Sequence, residues 1–150
     1  MQRSITYKNP LAPLLYVALF ALYSSLSSIY LFLPPLLAVL FIVYANALKK
    51  EDFSLVVFIG ICLVIVEANN DYPLFSTIMY FTLAYKFIMP KIEQNFNCNS
   101  CVKISYSLLG YIGYYLFLLI LSEIFLLPPP SVNYYIIYYI VIEFFLVSLL

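Results

Sequence analysis

Apolar residues run almost without interruption along this chain, in blocks separated by prolines or by short polar stretches. After a polar head from Met1 to Asn9, the stretch Leu11 to Leu48 is apolar apart chiefly from Pro34-Pro35. As one helix it would extend about 57 Å, against a bilayer hydrocarbon core of roughly 30 Å, so it has to turn back. Proline lacks the N–H that continues a helix and clashes with the preceding turn, which makes Pro34-Pro35 the corner. Two helices are predicted there, near residues 14–33 and 36–48. Beyond Lys49-Lys50-Glu51-Asp52 come two further apolar arms, near 53–68 and 74–89, joined by the polar turn Asn69-Asn70-Asp71-Tyr72-Pro73. A longer polar stretch, Pro90 to Lys103, then leads to apolar segments near 104–127 and 134–150, parted by Pro128-Pro129-Pro130. The pattern predicts an all-α polytopic membrane protein: one integral membrane domain over 1–150, a compact bundle of six short transmembrane helices. All nine prolines fall at or beside these predicted boundaries, with none expected inside a helix.

The basic residues add an orientation. Arg3 and Lys8 lie in the head, Lys49 and Lys50 in the second loop, and Lys86, Lys91 and Lys103 in or beside the fourth, while the first, third and fifth loops have none. Because Lys and Arg in short loops stay cytoplasmic, both termini are expected inside (N-in/C-in). The basic head and serine-rich first segment could pass for a secretory signal. The apolar sequence that follows it is unlike a mature secreted chain, and we read the segment as uncleaved.

Composition agrees with this frame. The chain is 65% hydrophobic and 9% charged, and its mean hydropathy is +1.02, too little polar surface to cover a soluble globule. Its zero net charge argues against electrostatic binding of nucleic acid, and the absence of His excludes imidazole triads and His metal ligands. Cys98 and Cys101 form a Cys-x-x-Cys, but neither the remaining ligands of a zinc site nor a redox scaffold is visible around them. Two unpaired loop thiols is the plainer reading, half a zinc site completed by a second copy the sharper one. No metal or other cofactor is expected.

Several polar and small residues fall at helical spacing. Ala18, Ala21, Ser25 and Ser28 form a small-residue stripe, read as a packing face within the chain and otherwise as a dimer seam. Gly110 and Gly113 suggest close packing in the fifth helix. Tyr135, Tyr139 and Glu143 recur every four residues on one face of the last helix, read as an interhelical hydrogen-bond cluster or, more sharply, as a proton or substrate path. An unpaired carboxylate at a helix centre costs about 2.5 to 3.5 kcal/mol, which favours a protonated or hydrogen-bonded Glu143 over a bare one. Glu123 is a further acid near the outer boundary. Glu67 lies at the C-terminal end of its helix, where the macrodipole disfavours a carboxylate, so something should compensate it. Two solutions stay open. Its neighbours Asn69, Asn70 and Tyr72 can donate hydrogen bonds to a neutral carboxyl, or a partner's Arg or Lys can complete a site formed with Asn70, Asp71, Pro73 and Leu74.

The acid at the end of the third helix, Pro73-Leu74 opening the fourth, the proline-initiated second segment Pro34-Pro35-Leu36-Leu37 and Tyr85 together resemble the rod-shape-determining protein MreD family over residues 33–90. In that family an Asp ends the third helix and Pro-Leu-Gly follows. Here Glu67 replaces the Asp, Phe75 replaces the Gly, and the glycines usual before the acid are reduced to Gly60. The resemblance implies a non-enzymatic integral membrane scaffold of the bacterial inner (cytoplasmic) membrane. It would assemble the cell-wall elongation and cell-shape machinery with MreC-like and cell-wall synthase components, in the lipid bilayer, with a homo-oligomer left open. The alternative is the substrate-binding membrane subunit of a vitamin or metal uptake transporter, which would need a cavity lined by polar side chains and open to the outside. A small ion or proton carrier is a third reading, resting on Glu143 and the tyrosines. A membrane enzyme has no acid and base pair, metal cluster or phosphate loop to stand on.

Overall fold

The computed structural model describes residues 11–149. Among them the chain forms six helical rods and no strand: α1 (Leu11–Ile29), α2 (Leu37–Lys49), α3 (Phe53–Asn69), α4 (residues 76–95), α5 (Asn99–Phe125) and α6 (Tyr135–Leu149). The expected head residues Arg3 and Lys8 lie outside the described residues, as does Leu150.

Four boundaries differ from expectation for reasons visible in the side chains. α1 stops at Ile29, not at residue 33, because the return segment is held against it. The Tyr23 hydroxyl donates to the Pro34 carbonyl at 2.7 Å, and the Ser27 hydroxyl donates to the Leu33 carbonyl at 2.8 Å. The fourth apolar block was expected to begin at residue 74, but its helix begins at Ser76, since Phe75 takes a left-handed conformation that cannot start a helix. The polar stretch from Pro90 to Lys103 is mostly helical, and only residues 96–98 break it. Pro90 therefore lies inside a helix, against expectation. Directly before it α4 widens into a π-turn, Ala84–Ile88, closed by the Met89 N–H on the Ala84 carbonyl. A wider turn relieves the clash between the proline ring and the carbonyl four residues earlier, so the rod continues to Asn95.

The loops sort by composition. Those bearing Pro34-Pro35, Pro73 and Pro128-Pro129-Pro130 gather at one end of the bundle, where they line a common cavity. At the other end Lys49 pairs with Glu93 at 2.7 Å, Tyr106 donates to Glu93 at 3.0 Å, and the Lys103 ammonium donates to the Ser148 carbonyl at 3.3 Å. We call these the proline end and the lysine end.

The core lies between α2, α3, α4 and α5. Phe41, Leu63 and Phe81 are fully buried, and the rings of Phe41 and Phe81 meet edge to face at 5.0 Å. α1 packs on α3 through Val17, Phe20 and the buried Ser24, whose hydroxyl accepts from Asn69 at 2.9 Å. That corrects the small-residue stripe: Ala18, Ser25 and Ser28 are exposed and only Ala21 is half-buried, because the packed face is turned one residue away, at 17, 20 and 24. Gly110 and Gly113 sit in a second π-turn, Leu109–Gly113, within α5. A Cβ on Gly110 would come within 3.1 Å of the Ala38 backbone, so α2 and α5 approach closely there. Beside Gly113 runs the Tyr80 phenol, which donates to the Leu109 carbonyl at 2.7 Å in the widened turn.

Two rods, Leu11–Ile29 and Asn99–Phe125, are long and apolar enough to cross a membrane. Leu37–Lys49, Phe53–Asn69 and Tyr135–Leu149 are apolar and shorter.

Candidate functional site

The proline end is built on two buried glutamates. Neither α2 nor α4 is preceded by a Ser, Thr, Asp or Asn that could cap its first N–H groups. The residue before each is instead a bulky one in the left-handed region, Leu36 at φ 58° and Phe75 at φ 66°. Such backbone costs roughly 1–2 kcal/mol per residue outside glycine and persists only where surrounding contacts enforce it.

A carboxylate from elsewhere enforces each. Glu67, at the end of α3, accepts from the Phe75 N–H at 2.7 Å, the Thr77 N–H at 2.6 Å and the Ser76 hydroxyl at 3.4 Å. Glu143, midway along α6, accepts from the Ala38 N–H at 2.7 Å, the Val39 N–H at 3.3 Å and the Tyr111 hydroxyl. Both side chains are fully buried. Each places its carboxyl oxygens at the positive end of a helix dipole and fills its otherwise orphan donors.

The compensation expected for Glu67 thus comes from inside the chain, though not from the neighbours considered for it. Asn69 bonds Ser24, the Asn70 amide bonds the Val66 carbonyl, and the donors to Glu67 are the first groups of α4. No partner cation is needed to hold Glu67 in place. Asn70, Asp71 and Leu74, grouped with it as a partner site, are exposed at the hairpin tip and Pro73 is half-buried. Glu123 is exposed near the end of α5 and takes no part in the joint.

A tyrosine layer lies over these joints. The Tyr135 and Tyr139 rings stack at 6.4 Å, Tyr139 faces Tyr111 at 6.3 Å, and Tyr111 reaches Glu143. Tyr139 donates to the Leu31 carbonyl, which ties α6 to the first return segment. On the other side the Tyr114 hydroxyl shares hydrogen bonds with Ser76 and Thr77, each at 3.0 Å, directly beneath Glu67. Among the described residues no buried side-chain nitrogen or oxygen lacks a hydrogen-bond partner.

Above the tyrosines opens a cavity of about 460 Å³, walled by the three proline-bearing loops and by α5 and α6. Tyr72, Tyr111, Tyr114, Tyr115 and Tyr139 line it with Asp71, whose own backbone is left-handed at φ 56°. Sequence reasoning singled out Tyr72, Tyr139 and Asp71 but missed Tyr111, Tyr114, Tyr115 and the cavity. The absent caps of α2 and α4 were the available signal, since a proline-opened helix with no capping residue must find an acceptor elsewhere.

At the lysine end Cys98 is exposed and Cys101 partly so, and both are free thiols, as is the buried Cys62. A hydrogen bond from the Cys101 thiol holds the Cys98 thiol below the ordinary range, and the same bond raises Cys101. Among the described residues no group of three or more His, Cys, Asp or Glu side chains could hold a metal ion.

Comparison of the chain with protein-family models, with curated proteins and with solved structures finds no match.

Proposed function

We propose that the protein is a non-enzymatic scaffold embedded in the bacterial inner membrane, resembling MreD, which joins MreC-like and cell-wall synthase components at its outer face. The observation that supports this is the Glu67 joint. The acid of the family resemblance accepts from the Phe75 and Thr77 N–H groups, in the residues that directly follow the Pro-Leu, and these bonds tie the end of α3 to the start of α4 in a braced hairpin. A rigid hairpin presents its tip without an ordering cost on binding. Here the tip bears Leu74 and Phe75, 63% and 60% exposed, beside Asp71.

All six rods cross the bilayer in this reading. Large apolar side chains such as Leu19, Leu22, Ile61, Ile120, Ile137 and Phe145 point outward around the bundle, a surface suited to lipid and costly in water. Rods of 13 to 17 residues, such as α2 and α3, span by snorkelling of flanking lysines and local thinning of lipid. The lysine end faces the cytoplasm.

Gentle purification of the tagged protein from its own cells, followed by identification of what accompanies it, tests the scaffold. Cell-wall synthase and MreC-like components are expected, and they should be lost in Leu74→Asp combined with Phe75→Ser. Retention of an ATPase module in their place would overturn the reading in favour of an uptake transporter. One observation favours that second reading: the cavity of about 460 Å³ at the same end, within the size range of small-ligand sites.

A further inference from the structure

The cavity at the proline end has a chemistry of its own, independent of the scaffold reading. Among the described residues Asp71 is the one formally charged residue in its lining, and none of the described Lys residues reaches it. The carboxylate of Asp71 makes no hydrogen bond or ion pair with the described residues. Its backbone sits at φ 56° in the turn, a conformation that Asp and Asn adopt more readily than other side chains. Around it stand the rings of Tyr72, Tyr115 and Tyr139, none fully buried. Tyr115, half-buried, lines the cavity and makes no ring contact with another aromatic side chain among the described residues.

The helix termini offer little to an anion. α1, α3 and α5 end at this side, while α2, α4 and α6 begin there. The positive N-termini of α2 and α4 are already occupied by Glu143 and Glu67. What remains is a tyrosine-lined cavity of about 460 Å³ with a carboxylate at its rim, where the N-termini of α2 and α4 no longer offer free donors to an anion. Electron-rich ring faces and a carboxylate attract cations and repel anions.

We propose that this cavity binds a small organic cation: an ammonium group, placed against Asp71 and the tyrosine faces, on an apolar body that fills the space toward Leu118 and Ile136. A metal cation is a poor fit, since the lining offers one carboxylate where hard cations take six or more oxygen ligands.

The test uses the full chain in detergent micelles, with benzyltrimethylammonium as probe and benzenesulfonate as its anionic counterpart, by titration calorimetry. Saturable binding of the cation at one site per chain is expected, with none of the anion. Asp71→Asn keeps the left-handed turn and the fold, and should weaken binding about tenfold. Tyr115→Leu should weaken it about three- to fivefold, as expected for loss of one cation–π face at a partly exposed site. Equal binding of cation and anion, or unchanged affinity in Asp71→Asn, would overturn the proposal. So would binding of a lysine-rich peptide where the free cation fails, which would make the site a protein-docking one. Partner capture and cation binding are measured separately, so either can fail without the other.

Discussion

At the scale of single residues the protein is held by two acids that look alike in sequence only in being isolated. Glu67 and Glu143 each satisfy two backbone N–H groups of another helix. Leaving a buried donor without its acceptor costs about 1–3 kcal/mol, more when charge is involved. Glu143→Ala should therefore lower stability by about 2–5 kcal/mol in denaturant unfolding from micelles, and Tyr111→Phe by about 1–2 kcal/mol. For Glu67→Lys the expected result is failure to fold, because an ammonium would face the positive end of α4. Chemical reactivity at the other end gives a separate check. With its thiol held low by Cys101, Cys98 should alkylate at a lower pH than Cys101, and mass spectrometry across a pH series resolves the two sites. Replacing both with Ser should leave folding and partner capture nearly unchanged, and stoichiometric zinc lost on that change would speak against it.

Among the helices, the decisive devices are the two π-turns. One lets α4 pass Pro90 without breaking, and the other frees the Leu109 carbonyl for Tyr80 and presents Gly113 to that phenol. A methyl on Gly113 would push Tyr80 aside. Gly113→Ala is expected to destabilise by about 1–3 kcal/mol, the usual range for overpacking. Tyr80→Phe should cost less in that background than in the parent, since its hydroxyl has already lost its place. A double-mutant cycle on unfolding free energies measures this, and strict additivity would show that the two residues do not meet.

Over the whole molecule, the separation of proline end from lysine end leads to a topology. Single cysteines at the exposed positions Asn70 and Ser131, placed in a chain free of its native cysteines, should react with an impermeant maleimide from outside intact cells. One at Asn95 should not, and its labelling would refute the six-crossing arrangement. The Lys49–Glu93 pair ties α2 to α4 at the lysine end, and the bond from Lys49 is the main reason the Glu93 carboxyl is held below its usual range. A depressed carboxyl contributes stability that is present above its unfolded value and lost as pH falls through the folded one. Both partners are more than 40% exposed, so the contribution is small, about 0–1 kcal/mol, and Glu93→Gln should shift unfolding only slightly.

Local chemistry was enough to read six apolar blocks, their proline corners and the one-sided lysines, because helix propagation, proline geometry and charge placement depend on near neighbours. Glu67 and its Pro-Leu were recognisable as a pair for the same reason: their spacing is short. What remained hidden depends on contacts between distant segments. Glu143 meets Ala38 across 105 positions, and no spacing rule connects an acid in the last helix to the start of the second. The outward turn of Ala18, Ser25 and Ser28 was equally hidden, since it follows from which face of α1 fits α3. Pro90 read as a stop because a lone proline ordinarily ends a helix, and only the bundle around α4 made the widened turn worthwhile. The cavity was decided last of all. It arises where three loops from distant parts of the chain close over the capped ends of α2 and α4, and tertiary packing alone brings those loops together.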